Sequence, residues 1–381
     1  MFRWKKLQRI YEKNRSDFFG LVFRRYPDFI LSNRISHLEI APVFTFHEVT
    51  ESTLEPLLIY LSKNDYKTLN ADELFERENS SNINYDKEIV LTFDDGHISL
   101  YEVAYPLLKK YGFKAVAFII PGLITEGKSD GWQTDKKYLC SWNEIKIMHE
   151  SGVIDIQAHS MYHHTIFISP RIIDYVSPDS NFSFLREALF PVLVENDSVR
   201  FPDSLPLGTP IYDSDYRYGR KRKYFDSIAL RRACQDYVNE NGSSSFFENS
   251  GWKNQLNSMV RKKFKDLLSE RRYESQEERK ETLAKDLREA KDSIEMKLSG
   301  KRIKHLCFPW FTADDATVTA SGEVGYNSNF WGGFIPKFAK DRKEPLPIKR
   351  YNPIYIWRLP GKNRKSINEV VYKKISGMVF Q

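Results

Sequence analysis

Two adjacent carboxylates, Asp94 and Asp95, stand at the abrupt end of the apolar run Ile89, Val90, Leu91, Thr92 and Phe93, and Gly96 follows them. Two carboxylates cannot share such a place as unpaired anions; each needs a cation, a proton or several donors. A metal held by one, with the other left to take a proton, meets both needs. A strand that simply ends in an exposed acidic turn is the plainer alternative. Further on comes HSMYHH, His159 to His164. Histidines at i and i+4 fall on one side of a helical turn and can reach a single ion. Asp95, His159 and His163 then make a two-histidine, one-carboxylate set with positions open for water and substrate. His163 is preferred to His164 because i+4 aligns better than i+5. A third histidine, His47, closes the run PVFTFHEV, Pro42 to Val49. A lone histidine at a strand end is usually structural, so its weight depends on whether it points to the same mouth as Asp94.

These groups act together only if the chain between them is a scaffold that gathers strand ends. Glu88 to Phe93 has the β-branched and aromatic content of a strand buried on both faces. Thr53 to Asn64 and Ala71 to Arg77 have helical spacing, the first with Leu54, Leu57, Leu58 and Leu61 on one side. Leu100 to Tyr111 reads as a helix closing at Gly112, Ala115 to Ile120 as a buried strand. Trp142 to Glu150 is a helix with Ser141 as N-cap and Gly152 past its end, and the strand Val153 to Ala158 delivers His159. Strand and helix in alternation with short links predict parallel strands, in an α/β barrel or an open sheet. In both, chemistry collects at the carboxyl ends of the strands, where Asp94, Asp95 and His159 fall.

From Ile166 to about Glu270 the alternation fails, although helical patterns over Ser227 to Asn239 and Lys253 to Leu268 and many aromatics predict folded structure. The run RYGRKRK, Arg217 to Lys223, suits a phosphate or an acidic lipid surface; a solvated charged face is the more usual explanation. Glu274 to Leu298 reads as a long charged helix with a narrow stripe of Leu283, Leu287, Ile294 and Leu298, its charges ordinary surface. Ile303 to Phe308 returns to strand.

TFDDG, then HSxxH, preceded by a strand ending in FHEV, resembles the polysaccharide deacetylase family, the NodB-like carbohydrate esterases of family 4. The resemblance covers roughly Ala41 to His164 and resumes around Lys301 to Pro353. It implies a distorted (β/α) barrel and removal of acetyl from N-acetylated sugars. Carried over by motif, Asp94 is the general base, Asp95 the metal-binding carboxylate, and His159 and His163 the metal histidines. The FHEV strand is similar to the YHxV strand of the branch acting on poly-N-acetylglucosamine, in which this histidine stands in for a C-terminal acid; His47 inherits that role. Phe308, Pro309 and Trp310 resemble the aromatic-Pro-aromatic motif that lines the acetyl pocket and gives a backbone N–H to the oxyanion. Phe330 and Trp331 match a late strand lining the same pocket. Leu346 to Arg350, LPIKR, resembles a family segment with its arginine displaced, so Arg350 either pairs with Asp94 and keeps it ionised or is a plain surface arginine. The implied cofactor is a divalent ion, Zn2+ by default.

A chain of 381 residues with a formal charge of +7 suits an anionic partner without selecting one, and no nucleic-acid motif accompanies the charge. Cys140, Cys234 and Cys307 are odd in number and widely spaced, as in a reducing compartment. The opening residues 1–36 interleave basic and aromatic residues; this is the pattern of an interfacial membrane helix or of a helix packed on its own domain. The expectation is an α/β chain with a deacetylase barrel in two parts (37–165 and 273–360), a large mixed, mainly helical insertion (166–272) and a tail (361–381). Its expected work is metal-dependent N-deacetylation of an acetylated amino-sugar glycan or lipid-linked sugar. The expected place is the cytoplasm, with peripheral contact at the inner membrane face through residues 1–36. An inactive glycan-binding module on this fold and a hydrolase of a non-sugar C–N bond are the alternatives.

Overall fold

The computed structural model describes residues 26–35, 37–80, 85, 87–126, 139–180, 191–195, 198–201, 204–263 and 272–379. The described strands, in chain order, are β1 Val43–Phe46, β2 Lys67–Thr68, β3 Glu88–Phe93, β4 Ala115–Ile119, β5 Ile154–Ala158, β6 Thr165–Tyr175, β7 Leu193–Glu195, β8 Ser198–Arg200, β9 Pro210–Tyr216, β10 His305–Cys307, β11 Ser328–Trp331 and β12 Leu346–Tyr351. Because β1 pairs with both β12 and β3, the order β1, β12, β11, β10, β5, β4, β3 closes on itself as a seven-stranded parallel barrel. The short β2 pairs with Glu88 and Ile89 of β3, ahead of the stretch Val90 to Phe93 that pairs with β1. This is the distorted (β/α) barrel that the sequence led us to expect.

The barrel strands read as continuous apolar runs because both faces are covered. Ile89, Val90 and Leu91 of β3 and every residue of β4 are fully buried. Helices fill the connections, among them Glu51–Lys63, which buries Leu54, Leu57, Leu58 and Leu61. Trp142–Glu150 starts at the N-cap Ser141 that the sequence marked, and the structure completes a capping box in which Ser141 and Glu144 satisfy each other's backbone N–H. Leu100 to Tyr111 is not one regular helix: a π-type turn, Leu100–Ala104, leads into the α-helix Tyr105–Tyr111. Pro106 has no N–H to continue the ordinary ladder, and the Tyr105 N–H bonds back to the Leu100 carbonyl instead.

The described residues divide into two compact units, one drawn from 1–161, 288–311 and 321–381, the other from 162–287 and 312–320. In the first, Phe29 and Ile30 are buried, and Arg358 and Arg364 donate to the carbonyls of Ile30, Phe29 and Ser32. The interfacial-helix reading of residues 1–36 falls chiefly on 1–25, outside the described residues. No described helix is long and apolar enough to cross a membrane.

The second unit has its own core around Phe167, Tyr175, Ile211, Tyr212, Leu230, Val238 and Leu256. It is built from the antiparallel pair β6–β9, the hairpin β7–β8 and the helices Ile228–Glu240 and Trp252–Lys263. The basic run is divided: Arg217 is buried and donates to both Glu274 carboxylate oxygens at 2.8 and 2.7 Å, whereas Arg220, Lys221 and Arg222 are exposed. The charges of the long helix Gln276–Lys297 are likewise not all surface, because Arg279 pairs with Asp314 at 3.0 Å and Asp286 accepts from the buried Tyr218 hydroxyl. A one-dimensional charge pattern cannot show which charges find buried partners.

Candidate active site

The carboxyl ends of the barrel strands deliver the chemistry. His47 follows β1, Asp94 and Asp95 follow β3, His159 follows β5, and Arg350 lies near the end of β12. A concavity of about 460 Å3 at the opposite end, lined by Thr68, Phe113, Lys114 and Val153, contains none of these groups.

The turn after β3 separates the two carboxylates. The Asp94 N–H still pairs with the Phe46 carbonyl (2.9 Å), but Asp95 and Gly96 take left-handed dihedrals (φ +67° and +76°) and Gly96 N–H bonds back to the Asp94 carbonyl. A non-glycine residue there costs about 1–2 kcal/mol. Asp94 is directed inward and is 1% exposed; Asp95 faces His159.

Arg350 clamps Asp94 with two parallel bonds, Nη1 to Oδ1 at 2.6 Å and Nη2 to Oδ2 at 2.9 Å. Its Nε donates to the Trp331 carbonyl, and Nη1 also reaches Thr92 Oγ1. Burial alone would push the Asp94 carboxyl up. The Arg350 guanidinium outweighs it and holds Asp94 below the usual carboxylate range. The sequence left Arg350 open between a surface position and this pairing; the structure buries it and pairs it. His47, half exposed, lies with Nε2 3.8 Å from Asp94 Oδ2.

His159 Nδ1 is 2.9 Å from the Cys307 carbonyl, which only accepts, so the ring proton sits on Nδ1. Nε2 lies 3.3 Å from Asp95 Oδ1, an approach that either a proton on Nε2 or a cation shared by the two groups holds. His163 follows in the same loop, and ligand atoms of Asp95, His159 and His163 all lie within 4.8 Å of one another. The donor set fits a divalent ion with open positions. The loop achieves this without the helical turn that the i,i+4 spacing suggested: Ser160 and His163 are left-handed (φ +66° and +50°), and Gly122 N–H ties the loop at the Met161 carbonyl. A second donor set, Asp94, His159 and Cys307, is equally compact. Arg350 occupies it, with Nη2 2.8 Å from Cys307 Sγ, so a further cation there meets a buried guanidinium.

Phe308, Pro309, Phe330 and Trp331 are buried side chains, with the Phe308 and Trp331 rings in edge contact and Phe330 against Phe118. Trp310 is partly exposed in a left-handed turn. Phe311, which the motif reading passed over, is the exposed aromatic here: 39% exposed, it meets the His47 ring edge-on and covers the Arg350 guanidinium.

Residues 82–179 match the polysaccharide deacetylase family, a segment that holds Asp94, Asp95, His159 and His163. The chain is 31% identical over 130 residues to YxkH of Bacillus subtilis, which bears the name of a polysaccharide deacetylase; the match covers 32% of this chain and 43% of that one. It is 27% identical over 136 residues to a poly-beta-1,6-N-acetyl-D-glucosamine N-deacetylase of Staphylococcus aureus, covering 36% and 45%. The chain thus spans less than half the length of these curated relatives. A solved de-N-acetylase of Aggregatibacter actinomycetemcomitans has the same fold, with a TM-score of 0.52 at 16% identity over 89% of this chain and 99% of that one. Matched segment and closed barrel agree: residues 82–179 are similar to the polysaccharide deacetylase family, and the barrel has the fold of a solved de-N-acetylase.

Proposed function

We propose that this chain is a metal-dependent N-deacetylase that removes acetyl from N-acetylated amino sugars of a polysaccharide. The observation that carries the reading is the convergence of ligand atoms of Asp95, His159 and His163 within 4.8 Å of one another, next to a carboxylate, Asp94, that Arg350 keeps ionised. The names of the relatives support the substrate class. A divalent ion held by Asp95, His159 and His163, zinc by default, would supply Lewis acidity to the acetyl carbonyl and acidity to an attacking water. Asp94 takes the proton of that water on a carboxylate oxygen. His47, beside Asp94 and open to solvent, gives a proton to the leaving amine, a step contributing roughly a hundredfold or more. A backbone N–H near Trp310 is the donor assigned to the oxyanion.

The test is acetate release from β-linked N-acetylhexosamine oligomers, a lipid-linked N-acetylated sugar and an acyclic acetamide, with metal content measured on the same samples. Wild type is expected to hold one ion and to act on the oligomers. Asp95→Ala is expected to lose the ion and activity together. Stoichiometric metal without acetate from any substrate would leave a glycan-binding module instead, and activity on the acyclic amide alone would leave a non-sugar amidase.

A further inference from the structure

Phe311 is a large apolar side chain that the fold holds in the open beside the reacting groups. Trp310 and Phe311 both adopt left-handed dihedrals (φ +50° and +56°), which L side chains avoid. Gly332, just past β11, makes room for the ring: a Cβ there would lie 2.7 Å from Phe311 Cγ. The guanidinium carbon of Arg350 is 5.0 Å from the ring centroid, and the His47 ring centre is 6.2 Å away. Arg350 and His47 are the two groups that flank Asp94. Backbone strain, a side-chain-free neighbour and exposed apolar area all work against folding, and together they serve to present one aromatic face next to Asp94 and His47.

Such a face suits the C–H face of a pyranose, whose hydroxyl and amide edges are left to polar partners. We propose that Phe311 is the platform on which the acetylated pyranose stacks, so that the site takes sugar acetamides in preference to acyclic amides. The proposal deepens, and rests on, the deacetylase reading.

The experiment uses the zinc-loaded protein and β-linked N-acetylglucosamine oligomers, with acetate release for KM and kcat and calorimetric titration for Kd. Phe311→Ala and Phe311→Leu are expected to raise KM and Kd about tenfold, the loss falling in KM rather than kcat. Phe311→Tyr and Phe311→Trp restore wild-type values. Gly332→Ala, which displaces the ring, behaves as Phe311→Ala; thermal melts of each variant separate binding loss from unfolding. Phe311→Leu binding as well as wild type, or a loss confined to kcat, overturns the platform, since the ring would then only prop Arg350 and His47. Oligomer binding that follows the aromatic series without any acetate release sinks the deacetylase reading and upholds the platform. Absence of both binding and release sinks the two together.

Discussion

Among single side chains, Arg350 carries the most consequence for Asp94. Three of its contacts, to Asp94, Thr92 and the Trp331 carbonyl, are buried and depend on the flat guanidinium fork. Arg350→Met strands a buried carboxylate, with an expected loss of about 3–5 kcal/mol in urea unfolding. Arg350→Lys keeps the charge but loses the parallel bonds, so its stability falls between the two. In both variants Asp94 loses the group that lowers its pKa, and the acid limb of the kcat/KM profile moves to higher pH. An unmoved acid limb in Arg350→Lys would remove Asp94 from the role of base. The sequence could name Arg350 but could not choose its partner, because β12 and β3 lie far apart along the chain and are brought to either side of β1 only by barrel closure.

Among the elements, the turn after β3 shows how little backbone is needed to give two neighbours different surroundings. Gly96 (φ +76°) has the Ile119 side chain 3.2 Å from where a Cβ would stand. Gly96→Ala is therefore expected to cost about 1–2 kcal/mol in thermal or urea unfolding and to weaken metal uptake by shifting Asp95. Full metal affinity in that variant would show that the turn does not set the Asp95 position. Helix boundaries were largely legible: Ser141 and Gly152 frame Trp142–Glu150 as capping chemistry requires. The HSMYHH loop was not legible. Its two histidines converge through left-handed Ser160 and His163, and no side-chain pattern announces that a serine will take such dihedrals.

For the whole molecule, the buried carboxylates set the acid limit of the fold. Burial raises Asp94 and Glu274, but Arg350 and Arg217 outweigh it and lower both; the partly exposed Asp72 is lowered too, first by its hydrogen bond with His305, with solvent screening its share. A carboxyl lowered in the folded state contributes stability that is fully present above its unfolded pKa, about 4 for Asp and Glu. That contribution is lost as the pH falls through the folded value. Urea midpoints are thus expected to fall steeply below about pH 4 as these carboxylates protonate; a midpoint at about pH 3 equal to that at about pH 5 would contradict these pairings. What the sequence determined by itself was local or periodic: strand and helix succession, parallel strands in a barrel or an open sheet, and the pairs Asp94–Asp95 and His159–His163, whose members are close along the chain. What only the tertiary structure decided was long-range: that β1 closes the ring between β3 and β12, that Arg350 meets Asp94, that Arg217 is an internal ion rather than a surface one, and that Phe311 is presented while Phe330 and Trp331 are buried. Periodicity reports which face of an element is apolar; only the assembled fold fixes what that face, or an isolated charge, will meet.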